Sequence, residues 1–337
     1  MRERDPEVRG QVLGEPERLV LLAVLLEDGE RELGERLEAE VVDARVEQRG
    51  SGGHAVAVEA LPARDSDGHR DTLPGYGAPV HVVARFADVV GRETVPLDEA
   101  ALLVAAHDRP ELDVAGELER LDALAAGCAE PSLDGLRRHL FADLGFVGNT
   151  DDYYDPRNSF LDEVVTRRTG LPITLAVVTI EVGRRLGLAL AGVGMPGHFL
   201  VRASGEPGTF LDPFAGGVVL DEAGCERRFR ALHGDGALWL PSFLEPVDTV
   251  TILGRMLANL RAVYTSRGDQ RVLAQVLSLR LALPPTPDEE ARRLGLALTA
   301  SVGHREAASE LETLATLLPG RAGVLQAEAH AQLARLN

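Results

Sequence analysis

Two side chains in the stretch "GMPGHFLVRASGEPGTFLDPF", Gly194 to Phe214, have the types and spacing for proton-transfer chemistry: His198 and Asp212. The Gly/Pro-rich "SGEPG" between two β-rich runs predicts a hairpin. A turn centred near Gly205–Glu206 sets His198 opposite a position near Asp212. Directly opposed residues of an antiparallel pair project to one face, with Cβ atoms roughly 5 Å apart. A carboxylate at that spacing accepts from an imidazole and fixes its tautomer. That is the base-and-orienter half of a nucleophilic triad. On these two residues alone, a polar cross-strand pair without chemistry is the simpler reading.

A nucleophile should face His198 from a helix N-terminus, where N–H groups and the helix dipole stabilise negative charge. The helix before the hairpin begins at Ile173–Thr174, which makes Thr174 the positional candidate. Thr is also a favoured helix cap, and its hydroxyl is a weak nucleophile without an efficient base. Cys128 follows Gly127 at a helix C-terminus, where the dipole disfavours a thiolate. Cys225 lies after the Asp in "LDEAGCERRF". Both cysteines read as reduced structural thiols. A metal site from His198, Asp212 and Asp155 has one His and no i, i+4 ligand pair, the weakest of the readings. No metal or other cofactor is expected.

The elements that must position these residues are legible from about Pro96. "PLDEAALLVAAHDRPELDVAGELERLDALAAG" predicts two amphipathic helices parted at Pro110, with Gly127 as C-cap. "SLDGLRRHLFADLGF" predicts a helix from Ser132. "SFLDEVVTRRTG" predicts one starting at Ser159, with Asp162 at the capping-box position and an end at Gly170. "PITLAVVTIEVGRRLGL" predicts a helix with Pro172 at its entrance and Gly187 after its end. It carries no charge from Ile173 to Ile180, so its first half should be buried. The β-runs "HFLVRA" and "TFLDPF" follow.

From about Val250 the chain is helical and self-similar. Superposing Gly268 on Gly303 sets Pro284 on Pro319 and Val263 on Leu298, an offset of 35 residues. A helix–turn–helix period near 34 is the tetratricopeptide signature. The last helix, "LQAEAHAQLARL", is placed as a cap. The leader, residues 1 to 75, mixes helical spacing with a short strand-like "HAVAVEA" and is not assigned a fold. The expected organisation is this leader, a domain over 76–246 and helical repeats over 247–337.

Of 337 residues, 45% are hydrophobic and the net charge is −18, enough for a sizeable core and a strongly acidic surface. Nucleic acid and anionic membranes are therefore excluded as expected partners. All 35 basic residues are Arg, which fits GC-rich coding rather than chemistry. The early run "LVLLAVLL", Leu19 to Leu26, is too short to span a bilayer and is flanked by charge. The expectation is a cytoplasmic protein; the oligomeric state is open.

Several separated motifs occur in order: "LGFVGNTDDYYDPRNSFLDEVVTRRTGLPITLAVVTIEVGRRLGL", then "GVGMPGHFLVRA", then "LDPFAGG". With them the stretch from Pro96 to Pro319 closely resembles the SirB1 family of the transglutaminase-like superfamily, whose members commonly carry C-terminal tetratricopeptide repeats. The resemblance implies an α+β, papain-like core. In it a helix with a nucleophile at its start packs on an antiparallel sheet that supplies His and then Asp. His198 matches the family's "PGHF" and Asp212 its "LDPF". The helix at Thr174 matches the one that carries Cys in active transglutaminases, but "TGLPITLAVV" has no Cys. The resemblance implies that "YYDPRNSF" sets Tyr154, Asp155, Arg157 and Asn158 at the mouth of the cleft, with Asn158 donating to an oxyanion or organising a turn. Two functions stay open: a peptide- or protein-binding scaffold without thiol catalysis, and a peptidase, amidase or acyltransferase using Thr174, His198 and Asp212.

Overall fold

The structure, a computed structural model, describes residues 80–205, 208–284 and 286–336. The leader expected over 1–75 lies outside the described residues. Helices α1 (Val80–Val90), α2 (Leu97–Ala106) and α3 (Val114–Ala126) come first. Asp113 caps α3 by accepting from the Gly116 N–H. Helix α4 (Leu133–Arg137) starts at the expected Ser132 cap and widens into a π-turn over Arg138–Asp143.

Helix α5 (Leu161–Arg167) differs from expectation at both ends. Ser159 belongs to a 3-10 turn over Pro156–Ser159, and Phe160 stands at the N-cap without a side-chain bond. Asp162 is drawn instead into an ion pair with Arg109, Oδ2 to Nη1 2.5 Å. A long-range ion pair therefore displaces a local capping box. The chain turns at Arg168, which has φ 57°, into a two-residue strand. This strand, β2 (Thr169–Gly170), runs parallel to β1 (Val147–Gly148).

Helix α6 (Pro172–Arg185) follows, with Pro at its first position and Gly187 at φ 77° past its end. The uncharged half is buried, as its composition requires. A five-stranded antiparallel sheet packs on it: β3 (Leu190–Val193), β4 (Leu200–Ala203), β5 (Phe210–Asp212), β6 (Val218–Leu220) and β7 (Pro246–Val247), in spatial order β6-β5-β4-β3-β7. Alternation along the strands splits the core. Val201 and Leu211 join the main core with α6, whereas Leu200 and Phe210 face helix α7 (Glu222–His233) with Cys225 and Phe229.

The tail holds α8 (Thr249–Arg267), α9 (Gln270–Ala282), α10 (Glu289–Val302), α11 (His304–Leu317) and α12 (Ala322–Ala334). Gly268 and Gly303, both at positive φ, follow the ends of α8 and α10. No gap in packing marks the boundary expected at 247. Strand β7 pairs with β3, and Ile252, Leu253, Met256, Leu257, Leu260 and Tyr264 of α8 are buried in the same core as α2 and α6. No helix among the described residues is long and apolar enough to cross a membrane.

Candidate active site

The hairpin register fixes how His198 and Asp212 meet. Val201 pairs with Leu211 and Arg202 with Phe210, so Leu200 lies level with Asp212 and Phe214 with His198. His198 stands two residues before β4, in the turn that follows Gly194. The pair is thus diagonal, not directly opposed. The imidazole Nε2 still reaches to 3.0 Å from Asp212 Oδ2.

Asp212 is fully buried and is the hub of the site. It follows Phe210 on the α7 side of the sheet. There the Nη2 of Arg228, on α7, lies 2.8 Å from Oδ2. Its other oxygen accepts from the Ala215 N–H at 3.1 Å, which shapes the "DPFAGG" turn. Burial pushes this carboxyl up, but His198, Arg228 and the Ala215 N–H outweigh it and hold the group below the usual carboxylate range. Cys225 sits in the α7 core; burial, with Asp212 close by, pushes its thiol up to about 12. It is a protonated core thiol.

Thr174 occupies the third position of α6 and is fully buried. Its hydroxyl donates to the Asn158 carbonyl at 2.7 Å. No hydrogen bond joins it to His198 among the described residues. Leu171, Pro172 and Ile173, which open the helix with it, are also buried, and Pro172 has no N–H to offer an oxyanion.

The "YYDPRNSF" segment is tied to itself and to the α6 start. Asn158 is fully buried. Its Nδ2 donates to the carbonyls of Asp152 (2.7 Å) and Tyr153 (3.1 Å), and its Oδ1 accepts from Asn149 (3.0 Å) and Arg167 (3.2 Å). Both hydrogens of that amide are committed within the segment. Asp155 caps the 3-10 turn through the Arg157 N–H and pairs with Arg157 at 2.7 Å and Arg167 at 3.8 Å. It does not join His198 and Asp212 as a third ligand. Among the described residues no group of three or more His, Cys, Asp or Glu side chains could hold a metal. The Tyr154 carbonyl accepts from Arg267 of α8 at 3.1 Å.

A backbone bridge joins the two halves of the site. The Gly148 N–H donates to the Phe214 carbonyl and the Asn149 N–H to the Gly170 carbonyl, each at 3.0 Å. A Cβ on Gly148 would stand 2.4 Å from the Phe214 ring, so glycine lets that ring seat. The half-buried Phe214 meets His198 edge-on at 6.0 Å and Tyr153 at 6.1 Å. Tyr153 is exposed. Exposed Tyr153 and half-buried Phe214 thus stand beside an imidazole backed by a carboxylate and a guanidinium.

Comparison with known proteins places this geometry. Residues 97–258 match the model of the transglutaminase-like superfamily. A UPF0162 protein of Xylella fastidiosa is 40% identical over 256 residues, covering 72% of this chain and 90% of the relative. The chain belongs to the UPF0162 family. A UPF0162 protein of Pseudomonas aeruginosa is 32% identical over 216 residues, 61% of this chain and 79% of that one. F-box only protein 21 of Mus musculus is 34% identical over 165 residues, 45% of this chain and 25% of that protein. No solved structure matches.

Sequence reasoning missed Arg228, Phe214 and Asn149. "CERRFR" offers three arginines on one helix, and no local pattern singles out the one facing Asp212. Phe214 was visible two residues after Asp212, but only the register brings it to His198.

Proposed function

We propose that this UPF0162 protein, of the SirB1 type, is a peptide- or protein-binding module that has given up thiol acyl transfer. The observation that carries the reading is the Thr174 hydroxyl, fully buried and bonded to the Asn158 carbonyl at 2.7 Å. A nucleophile must present a free hydroxyl to its base and to substrate, and this one does neither. The His198–Asp212–Arg228 cluster then orders the floor of a cleft whose aromatic shelf, Tyr153 and Phe214, receives a partner segment. The tail, read as tetratricopeptide-like helix pairs, offers a second surface for a protein partner. The match inside F-box only protein 21, over a quarter of its length, supports a module that serves within a larger chain.

A second reading, a peptidase, amidase or acyltransferase, is favoured by one observation: the 3.0 Å approach of His198 Nε2 to Asp212 Oδ2. Activity-based labelling with hydroxyl-directed acylating and phosphonylating probes separates the two. The binding module should show no label on Thr174 in wild-type protein, and Thr174→Ala and His198→Ala should not change the pattern. A covalent adduct on Thr174 that disappears in His198→Ala would establish the enzyme instead.

A further inference from the structure

The turn that carries His198, Gly194 to Gly197, is held by groups from outside the sheet. Arg255 of α8 is buried and donates Nη1 to the Gly194 carbonyl at 2.6 Å and Nη2 to the Met195 carbonyl at 3.3 Å. The His198 N–H donates to that same Met195 carbonyl at 3.0 Å. The guanidinium also lies over the ring of Phe199, the next residue, at 5.5 Å. Gly194 is the residue that admits it: a Cβ there would stand 2.5 Å from Arg255 Nη1. From α7, the His233 ring meets the Pro196 carbonyl at 3.0 Å. Twelve residues along α8, Arg267 donates to the Tyr154 carbonyl at 3.1 Å.

We infer that Arg255 is a positioning residue for His198, so that the first helix of the tail is a working wall of the cleft. One planar cation bridges two successive carbonyls, one of which also fixes the His198 backbone. A planar fork bridges both from two nitrogens at fixed spacing; an ammonium has one nitrogen on a flexible stem and no such fixed geometry. Asp212 on β5 faces the imidazole, Arg228 on α7 acts through Asp212, and Arg255 on α8 holds the turn that carries the ring. A shift in the turn moves the ring relative to Asp212, and the imidazole's protonation reads that distance.

The test is side-chain NMR of the histidines in the full chain, with His198 assigned by loss of its signal in His198→Gln. In Arg255→Met the His198 midpoint should fall by about half a pH unit or more, because the pairing with Asp212 loosens. The exposed His81 and His330 should not move. Arg255→Lys keeps the charge and should recover only part of the shift. Gly194→Ala keeps Arg255, displaces its guanidinium and should lower the midpoint as well, which covers the case that Arg255→Met fails to fold. An unchanged His198 midpoint in a folded Arg255→Met or Gly194→Ala protein overturns the inference. So does a rise in Arg255→Met with no change in Arg255→Lys, since that is the signature of charge alone. The readout needs no partner, so it stands or falls separately from the binding proposal.

Discussion

Arg228 and His198 converge on one oxygen: the Oδ2 of Asp212 lies 2.8 Å from the guanidinium and 3.0 Å from the imidazole. The carboxylate is fully buried, and the imidazole, the guanidinium and the Ala215 N–H together outweigh the burial that disfavours its charge. Removing one leaves the others, which bounds the cost. Arg228→Met should therefore destabilise the fold by about 1–3 kcal/mol, less than the full loss of a buried pair. Urea midpoints with unchanged slope are the measurement.

The same carboxylate sets an acid limb. Its folded pKa lies below the unfolded one, so its stabilising contribution is complete above the unfolded value and is lost as pH falls through the folded value. Wild-type stability should decline below about pH 4. Asp212→Asn should be less stable at pH 7 and show a shallower decline over the acid range. Urea melts between pH 3 and 7 would compare the two slopes.

Thr174 should behave as a structural residue. Thr174→Val keeps the shape and removes the donor to the Asn158 carbonyl, which still accepts from the Leu171 N–H at 3.3 Å. The expected loss is about 1 kcal/mol. Thr174→Ser should retain most of that stability. Partner binding should survive in both, as read by titration calorimetry once a ligand peptide is in hand.

Both cysteines should resist alkylation in the native state. Cys225 is fully buried with its thiol pushed up to about 12, and Cys128 is buried with its Sγ 3.2 Å from the Glu130 carbonyl. Iodoacetamide should label each only after denaturation, as mass spectrometry would show. Labelling of native Cys225 at neutral pH would contradict its placement in the α7 core.

A chain ending at Val247 should lose cooperative unfolding. It lacks the six buried apolar side chains of α8 that complete the α2–α6 core. Their burial is worth roughly 9–18 kcal/mol, as much as the whole stability of a typical domain. Calorimetry on the shortened chain checks this; a sharp native-like transition would show that the core closes without α8.

The sequence by itself determined the elements that obey local rules. The uncharged run from Ile173 to Ile180 had to be buried and helical, Pro172 and Gly187 marked the ends of α6, Ser132 capped α4, and "SGEPG" had to reverse the chain between β4 and β5. Each signal involves residues within a few positions of one another, where periodicity and capping act. The types of the site residues were also legible, because few His and Asp flank a hairpin. Tertiary structure decided what those residues do. The register set His198 diagonal to Asp212, Asp162 left its cap for Arg109 across 53 residues, and the Thr174 hydroxyl took the Asn158 carbonyl instead of an imidazole. Arg228 and Arg255 entered the site from helices far along the chain. These outcomes are competitions among partners that meet only after the chain has folded. A buried polar group takes whichever partner geometry brings within hydrogen-bond reach, and sequence spacing does not carry that geometry.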